Sequence, residues 1–209
     1  MHRRSILPIL AVAAVLLWRP GAASAVEAEA GVALVQKAVK EAIGEFAGKK
    51  LSAEASRPKL DALIDRYIDR RQIAETILGR YWARATTEQQ AKFERLVLDY
   101  AMNGFGGAAS EISAEQKITV TGSAVEGDHV VVHTVSIEPG DDPTPIDWVV
   151  GSVGGRTVFV DVFIEGVSPI KTMRDDFTAV LRSNGGSIDG LMAAMQKKMD
   201  ANKAAAAAK

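Results

Sequence analysis

Three observations predict an α+β fold. Apolar residues recur at helical spacing through the first half of the chain, alternate with a period of two between Ile118 and Ile164, and return to helical spacing after Pro169. Four strand-like runs joined by short turns make an antiparallel meander, with the helices massed on one face of it. Past the N-terminal segment, roughly 180 residues remain, enough for one domain with a real core, and the hydrophobic fraction of the chain is 47%.

At the N-terminus His2, Arg3 and Arg4 precede an apolar run from Ile6 to Trp18, and Ala23-Ser24-Ala25 supplies small residues for cleavage. This is the three-part pattern of a secretory signal, and the run is shorter than the about 20 residues of a membrane span. Residues 1–25 are read as a signal peptide, 26–201 as a single domain and 202–209 as an Ala/Lys-rich tail. The chain has no cysteine, hence no acceptor for a lipid anchor, no disulfide and no thiolate metal site. The expectation is a soluble exported protein.

The first mature stretch, Val26 to Ala47, carries Val32, Val35, Val39, Ile43 and Phe46 at helical spacing and ends near Gly48. A second helix is expected from about Pro58, with Leu60, Leu63, Ile64, Tyr67 and Ile68 on its apolar face, and Asp69-Arg70-Arg71 interrupts it. A short third helix runs from Gln72 to Leu78 and stops at Gly79. Thr87-x-x-Gln90 reads as a capping box for a fourth helix, whose stripe is Phe93, Leu96, Val97 and Tyr100 and whose end is marked by Gly104, Gly106 and Gly107.

The strands follow. Ile118 and Val120 alternate with threonines, Gly127-Asp128 turns into His129 to Glu138, and Pro139 to Pro143 is a loop. Ile146, Trp148 and Val150 open a third strand, and Gly154-Gly155 turns it into Val158 to Ile164. Glu165-Gly166-Val167 turns the chain again, and Ser168 with Pro169 starts a helix. Its apolar face is Ile170, Met173, Phe177, Val180 and Leu181. After Gly185-Gly186, Ser187 caps a last helix with Ile188, Leu191, Met192, Met195 and Met199 on one face.

Few residues suggest chemistry. His129 and His133 share a strand face but lie roughly 13 Å apart, too far to share one metal, and read as polar sites on the solvated side. Asp147 and Asp161, on adjacent strands, could form a carboxylate pair in an apolar cavity or could face outward and cap a turn. No nucleophile elbow, phosphate-binding glycine loop or metal-ligand spacing is present. With 25 basic and 26 acidic residues, of which the signal segment takes three arginines and no acid, the mature chain is mildly acidic and lacks the basic surface that nucleic-acid binding requires.

Two blocks resemble a known family. Asp161-Val162, Glu165-Gly166-Val167-Ser168, Arg174, Phe177, Leu181, Gly186 and Leu191 are similar to the C-terminal signature of the MlaC proteins, also called the toluene-tolerance Ttg family of periplasmic lipid carriers. Asp69, Ile73-Ala74, Leu78-Gly79, Trp82, Thr87-Glu88-Gln89 and Phe93 resemble that family's second block. Gly185-Gly186 is similar to the branch associated with hopanoid genes. One departure is plain: Thr157 stands where the family usually has Trp, about four residues before the aspartate.

The resemblance implies a cone-shaped sheet-and-helix fold with an apolar cavity, related to the nuclear-transport-factor-like folds. It also implies a periplasmic location, a phospholipid or hopanoid as cargo, and exchange with an inner-membrane ABC transporter complex and an outer-membrane lipoprotein complex. Tyr81, Trp82, Phe93, Tyr100 and Phe105 then read either as packed core or as cavity wall. Met173, Met192, Met195 and Met199 have the same two readings. Under the cavity reading the lipid-binding wall also includes Leu78, Val97 and Phe177 from helices and Trp148, Val150, Val160 and Val162 from the sheet.

Such a carrier needs no cofactor. A buried methylene is worth about 0.8 kcal/mol, so exposing a two-chain lipid to water costs on the order of 20 kcal/mol, and a dry apolar pocket removes that cost while the headgroup stays in solvent. Two other readings stay open: a small-molecule enzyme on a similar cone-shaped fold, which requires an ionisable side chain deep in an apolar pocket, and an exported adaptor with a filled core. The exported form is expected to begin at Val26. N-terminal sequencing of periplasmic protein checks this, and uncleaved protein in the inner membrane contradicts it.

Overall fold

Each helix after the first begins where a short polar side chain holds its first turn. In a computed structural model that describes residues 26–49, 51–105, 113 and 115–207, Ser52, Asp69, Thr86, Ser168 and Ser187 accept from the backbone N–H groups of Ala55, Gln72, Gln89, Lys171 and Gly190. Caps of this kind contribute about 1 kcal/mol each. The helices are α1 (Ala28–Phe46), α2 (Ala53–Tyr67), α3 (Arg70–Leu78), α4 (Thr87–Phe105), α5 (Pro169–Ser183) and α6 (Ile188–Ala207), with a 3-10 turn at Gly79–Arg84 between α3 and α4. Among the described residues no helix is long and apolar enough to cross a membrane. Residues 1–25, expected to be a signal peptide, lie outside the described residues, as do Gly106 and Gly107, expected to end α4.

Several boundaries differ from expectation. α2 starts five residues before Pro58, at the Ser52 cap, and holds Pro58 in its second turn. The capping box of α4 is Thr86 with Gln89, which exchange hydrogen bonds at 3.0 and 3.2 Å. Thr86-Thr87 and Gln89-Gln90 offer the box in two registers, and the earlier one forms. The Ala/Lys-rich tail continues α6 as far as Ala207. α3 ends at Gly79, whose φ of +53° favours glycine; a Cβ there would lie 3.2 Å from Nη2 of Arg174, which lies against it.

Four strands, β1 (Lys117–Glu126), β2 (His129–Ile137), β3 (Thr144–Val153) and β4 (Arg156–Ile164), form one antiparallel sheet in the order β1-β2-β3-β4. The meander is as expected, down to the turns at Gly127-Asp128 and Gly154-Gly155. Val130, Val132, Thr134 and Ser136 alternate inward along β2 and are buried. Trp148 is inside as well: its indole N–H donates to Thr134 Oγ1 at 3.0 Å, and that hydroxyl donates to the Ile146 carbonyl at 2.8 Å. Both buried polar groups are thus satisfied.

α1 lies across this inner face and contacts all four strands. Gly31 makes the approach possible, because a Cβ built there would sit 2.9 Å from Val130 Cγ1, a β-branched side chain with little rotamer freedom in the middle of the core. Gly44, in the same helix, has open space at the same position. The two glycines therefore respond oppositely to alanine. Helix propensity favours alanine by about 1 kcal/mol at both, so Gly44→Ala stabilises by about 0.5–1 kcal/mol. At Gly31 overpacking of about 1–3 kcal/mol outweighs that gain, and Gly31→Ala lowers the denaturation midpoint. Urea titration of the two variants checks the sign of each.

Candidate functional site

The apolar interior is divided into two clusters. The helical one gathers Ile73, Ala74, Ile77 and Leu78 of α3, Tyr81 and Trp82 of the 3-10 turn, Phe93, Val97 and Leu98 of α4, Phe177 and Leu181 of α5, and the buried face of α6. The sheet cluster gathers Val35 and Ala38 of α1, Tyr67, and Val130, Val132, Val150 and Phe159 of the strands. Trp148 packs against it, its ring 5.1 Å from that of Phe159. Ile68, between α2 and α3, packs against both clusters, and its backbone makes an isolated parallel bridge to Phe159.

The residues expected to wall one pocket are accordingly distributed. Leu78, Tyr81, Trp82, Phe93, Val97 and Phe177 come together in the helical cluster, and Val150 with Trp148 in the sheet cluster. Val162 pairs with Trp148 across β3 and β4, which puts it on the inner face. Val160 differs, although simple alternation places it with Val162. A register shift opposite Val149 and Val150 leaves it the extra residue of a β-bulge, and it lines the outer face beside Asp161. The Phe105 side chain lies outside the described residues.

Tyr100 packs at the edge of the helical cluster. It is half-buried, its ring 5.3 Å from that of Phe177 in an edge-to-face contact, and it is shared by two adjoining open grooves. One, of about 310 Å³, runs between α5 and α6 over Phe177, Val180, Leu191 and Met195. The other, of about 420 Å³, is lined by Ala101, Ile164, Val167, Pro169 and Met173. Ile164 and Val167 are large apolar side chains left 41% and 60% exposed. They flank the Glu165-Gly166 turn, across which they exchange backbone hydrogen bonds at 2.9 and 3.0 Å. Lys198 holds its ammonium 5.4 Å from the centre of the Tyr100 ring. The Tyr100 hydroxyl beside it, and Asp176 to a lesser degree, hold the Lys198 amine above the usual lysine pKa. Residue patterns did not single out Ala101, Ile164, Val167, Asp176 or Lys198 as a site. The signal available was two large aliphatic residues flanking a Glu-Gly turn.

The polar candidates are engaged elsewhere. His129 and His133 share the outer face as expected, where each Nδ1 lies 2.8 Å from a carboxylate, of Asp128 and Asp147 respectively. Asp161 accepts from the Val162 N–H at 2.8 Å and from the Ser168 hydroxyl at 2.7 Å. Asp147 and Asp161 thus have separate partners rather than each other. A further groove between α1 and α2 is lined by Glu41, Glu45, Lys59 and Arg66, which are joined in the ion pairs Arg66–Glu41 and Lys59–Glu45. The Tyr67 hydroxyl foremost, then the Arg66 guanidinium, holds Glu41 below the usual carboxylate pKa, as Lys59 does Glu45. Among the described residues no three His, Cys, Asp or Glu side chains gather in a way that could hold a metal ion.

A solved structure of similar fold is that of a phospholipid-binding protein from Ralstonia solanacearum in complex with a phospholipid. It aligns with a TM-score of 0.71 over 82% of this chain and 97% of that one, at 22% identity. The toluene tolerance protein ttg2D of Pseudomonas putida is 24% identical over 162 residues, 75% of each chain. The family model described as MlaC protein matches residues 36–197, a span that runs from α1 through most of α6, and the chain belongs to the MlaC family.

Proposed function

We propose that this protein is a periplasmic carrier that holds the acyl chains of a glycerophospholipid at the Tyr100 grooves and in the seam leading inward between the two clusters, and moves the lipid between inner and outer membranes. The observation that carries the reading is an apolar groove, open to solvent and rimmed by exposed Ile164 and Val167, in a family fold whose Ralstonia relative is a phospholipid-binding protein. Large apolar side chains left in water at a concave surface mark a binding site rather than a packing surface.

In this reading the chains are recognised by shape and desolvation. Tyr100 and Phe177 meet them first. Leu78, Tyr81, Trp82, Phe93 and Val97 form the helical wall behind, and Trp148, Val150 and Val162 the sheet wall. Sheltering each methylene recovers about 0.8 kcal/mol, no proton moves, and the headgroup stays at the mouth. Since the tails are already apolar in a bilayer, the carrier needs only a modest advantage to receive a lipid, and a modest disadvantage to release it, at the transporter and lipoprotein complexes that are its proposed partners.

Two tryptophan substitutions one turn apart on α4 test the groove. Ala101 lines it, whereas Val97 is 1% exposed within the helical cluster. Ala101→Trp is expected to keep the thermal midpoint of delipidated protein near the parent's while most of the bound lipid, counted by native mass spectrometry of periplasmic protein, is lost. Val97→Trp is expected to cost about 1–3 kcal/mol of stability by overpacking. A stable Ala101→Trp protein with its full complement of lipid overturns the groove assignment, and a parent protein that carries no lipid overturns the carrier reading.

A further inference from the structure

The grooves at Tyr100 are apolar except at one place. Among the described residues that line them, the charged ones are Asp176 and Lys198, and each of the two lines both grooves. They come from different helices, α5 and α6, and line the grooves that share Tyr100, over whose ring Lys198 is held. Both are exposed. Among the described residues neither takes part in an ion pair with another side chain, so each charge is presented at the mouth of the groove. We infer that Asp176 and Lys198 form a headgroup-reading pair that selects a zwitterionic phospholipid, with the phosphate at Lys198 and the headgroup amine at Asp176. The inference rests on the carrier reading above and assigns it a lipid class.

The chemistry of the alternatives separates them. A phosphatidylethanolamine headgroup carries one negative and one positive charge a few bonds apart, which matches one cation and one anion lining the same grooves. A phosphatidylglycerol headgroup carries the phosphate alone, so it satisfies Lys198 and brings a negative charge towards Asp176. A polycyclic lipid without phosphate uses neither side chain. Exposed charge pairs are individually weak, so the discrimination is modest, about three- to fivefold between zwitterionic and anionic lipid. That is enough to bias a carrier without holding its cargo.

The test incubates delipidated protein with vesicles of equal parts phosphatidylethanolamine and phosphatidylglycerol and reads the bound lipids by native mass spectrometry. Parent protein is expected to favour phosphatidylethanolamine about three- to fivefold. Asp176→Lys, which presents two cations, reverses the preference towards phosphatidylglycerol. Lys198→Asp, which presents two anions, lowers uptake of both lipids and of phosphatidylglycerol most. The double variant Asp176→Lys, Lys198→Asp restores one charge of each sign and with it the preference for phosphatidylethanolamine. Both positions are exposed, so thermal midpoints near the parent's are expected for all three variants. Lipid bound in the same ratio by parent and variants overturns the headgroup pair and leaves the carrier reading standing; a parent that takes up neither lipid overturns both.

Discussion

The packing of the whole chain turns on the contact between Ile68 and Phe159. The backbone at Ile68 leaves the helical conformation, at φ −125° and ψ 145°, and makes a single strand-like bridge to β4 before Asp69 caps α3. One residue thus ends α2, which belongs with the sheet, and lets α3 begin in the helical cluster. Its side chain packs against both clusters. A β-branched residue suits that extended position, and an apolar one is required because both neighbours are. Without such a hinge the six helices would have to share one continuous core with the sheet. With it they form two clusters that meet at Ile68.

The junction between β4 and α5 is set by a relay of hydrogen bonds. Asp161 on β4 accepts from the Ser168 hydroxyl, and Ser168 Oγ accepts from the Lys171 N–H at 3.0 Å to cap α5. Ser168 is buried, and the relay fixes the distance between the end of the sheet and the start of the helix. The chain between them closes in a short turn, and the residues flanking that turn, Ile164 and Val167, stand exposed. Pro169 adds to it by fixing the first helical residue where no N–H is needed.

The meander, the number of helices and the caps at Ser168 and Ser187 were legible in the sequence because each rests on local chemistry: alternation, turn glycines, a hydroxyl before a helix. What was not legible depends on pairing. The bulge that separates Val160 from Val162 arises from a register shift between β3 and β4, and no residue within β4 announces it. The division of the aromatic residues between clusters is equally non-local, for Trp82 and Trp148, both expected in one cavity wall, end up in different clusters. At Pro58 a local rule misled: proline favours the first turn of a helix, but the Ser52 cap, six residues before Pro58, began the helix sooner. Asp176 and Lys198 could not be found by periodicity at all, since each is an ordinary polar residue on the outer side of its own helix, and only the packing of α5 beside α6 brings both to the Tyr100 grooves.

A divided core also bears on how a carrier can survive the loss of its cargo. A single cavity large enough for two acyl chains, emptied, would leave much of the core without partner atoms, and unfilled volume is destabilising in proportion to its size. Here the fully buried side chains, among them Phe93, Leu78, Leu181 and Leu191 on the helical side and Val130, Val132 and Val150 on the sheet side, pack within their own clusters. Under the carrier reading, cargo then needs to stabilise only the open grooves at Tyr100, and the free energy of loading is small by construction, because these buried side chains keep their partners whether or not lipid is present.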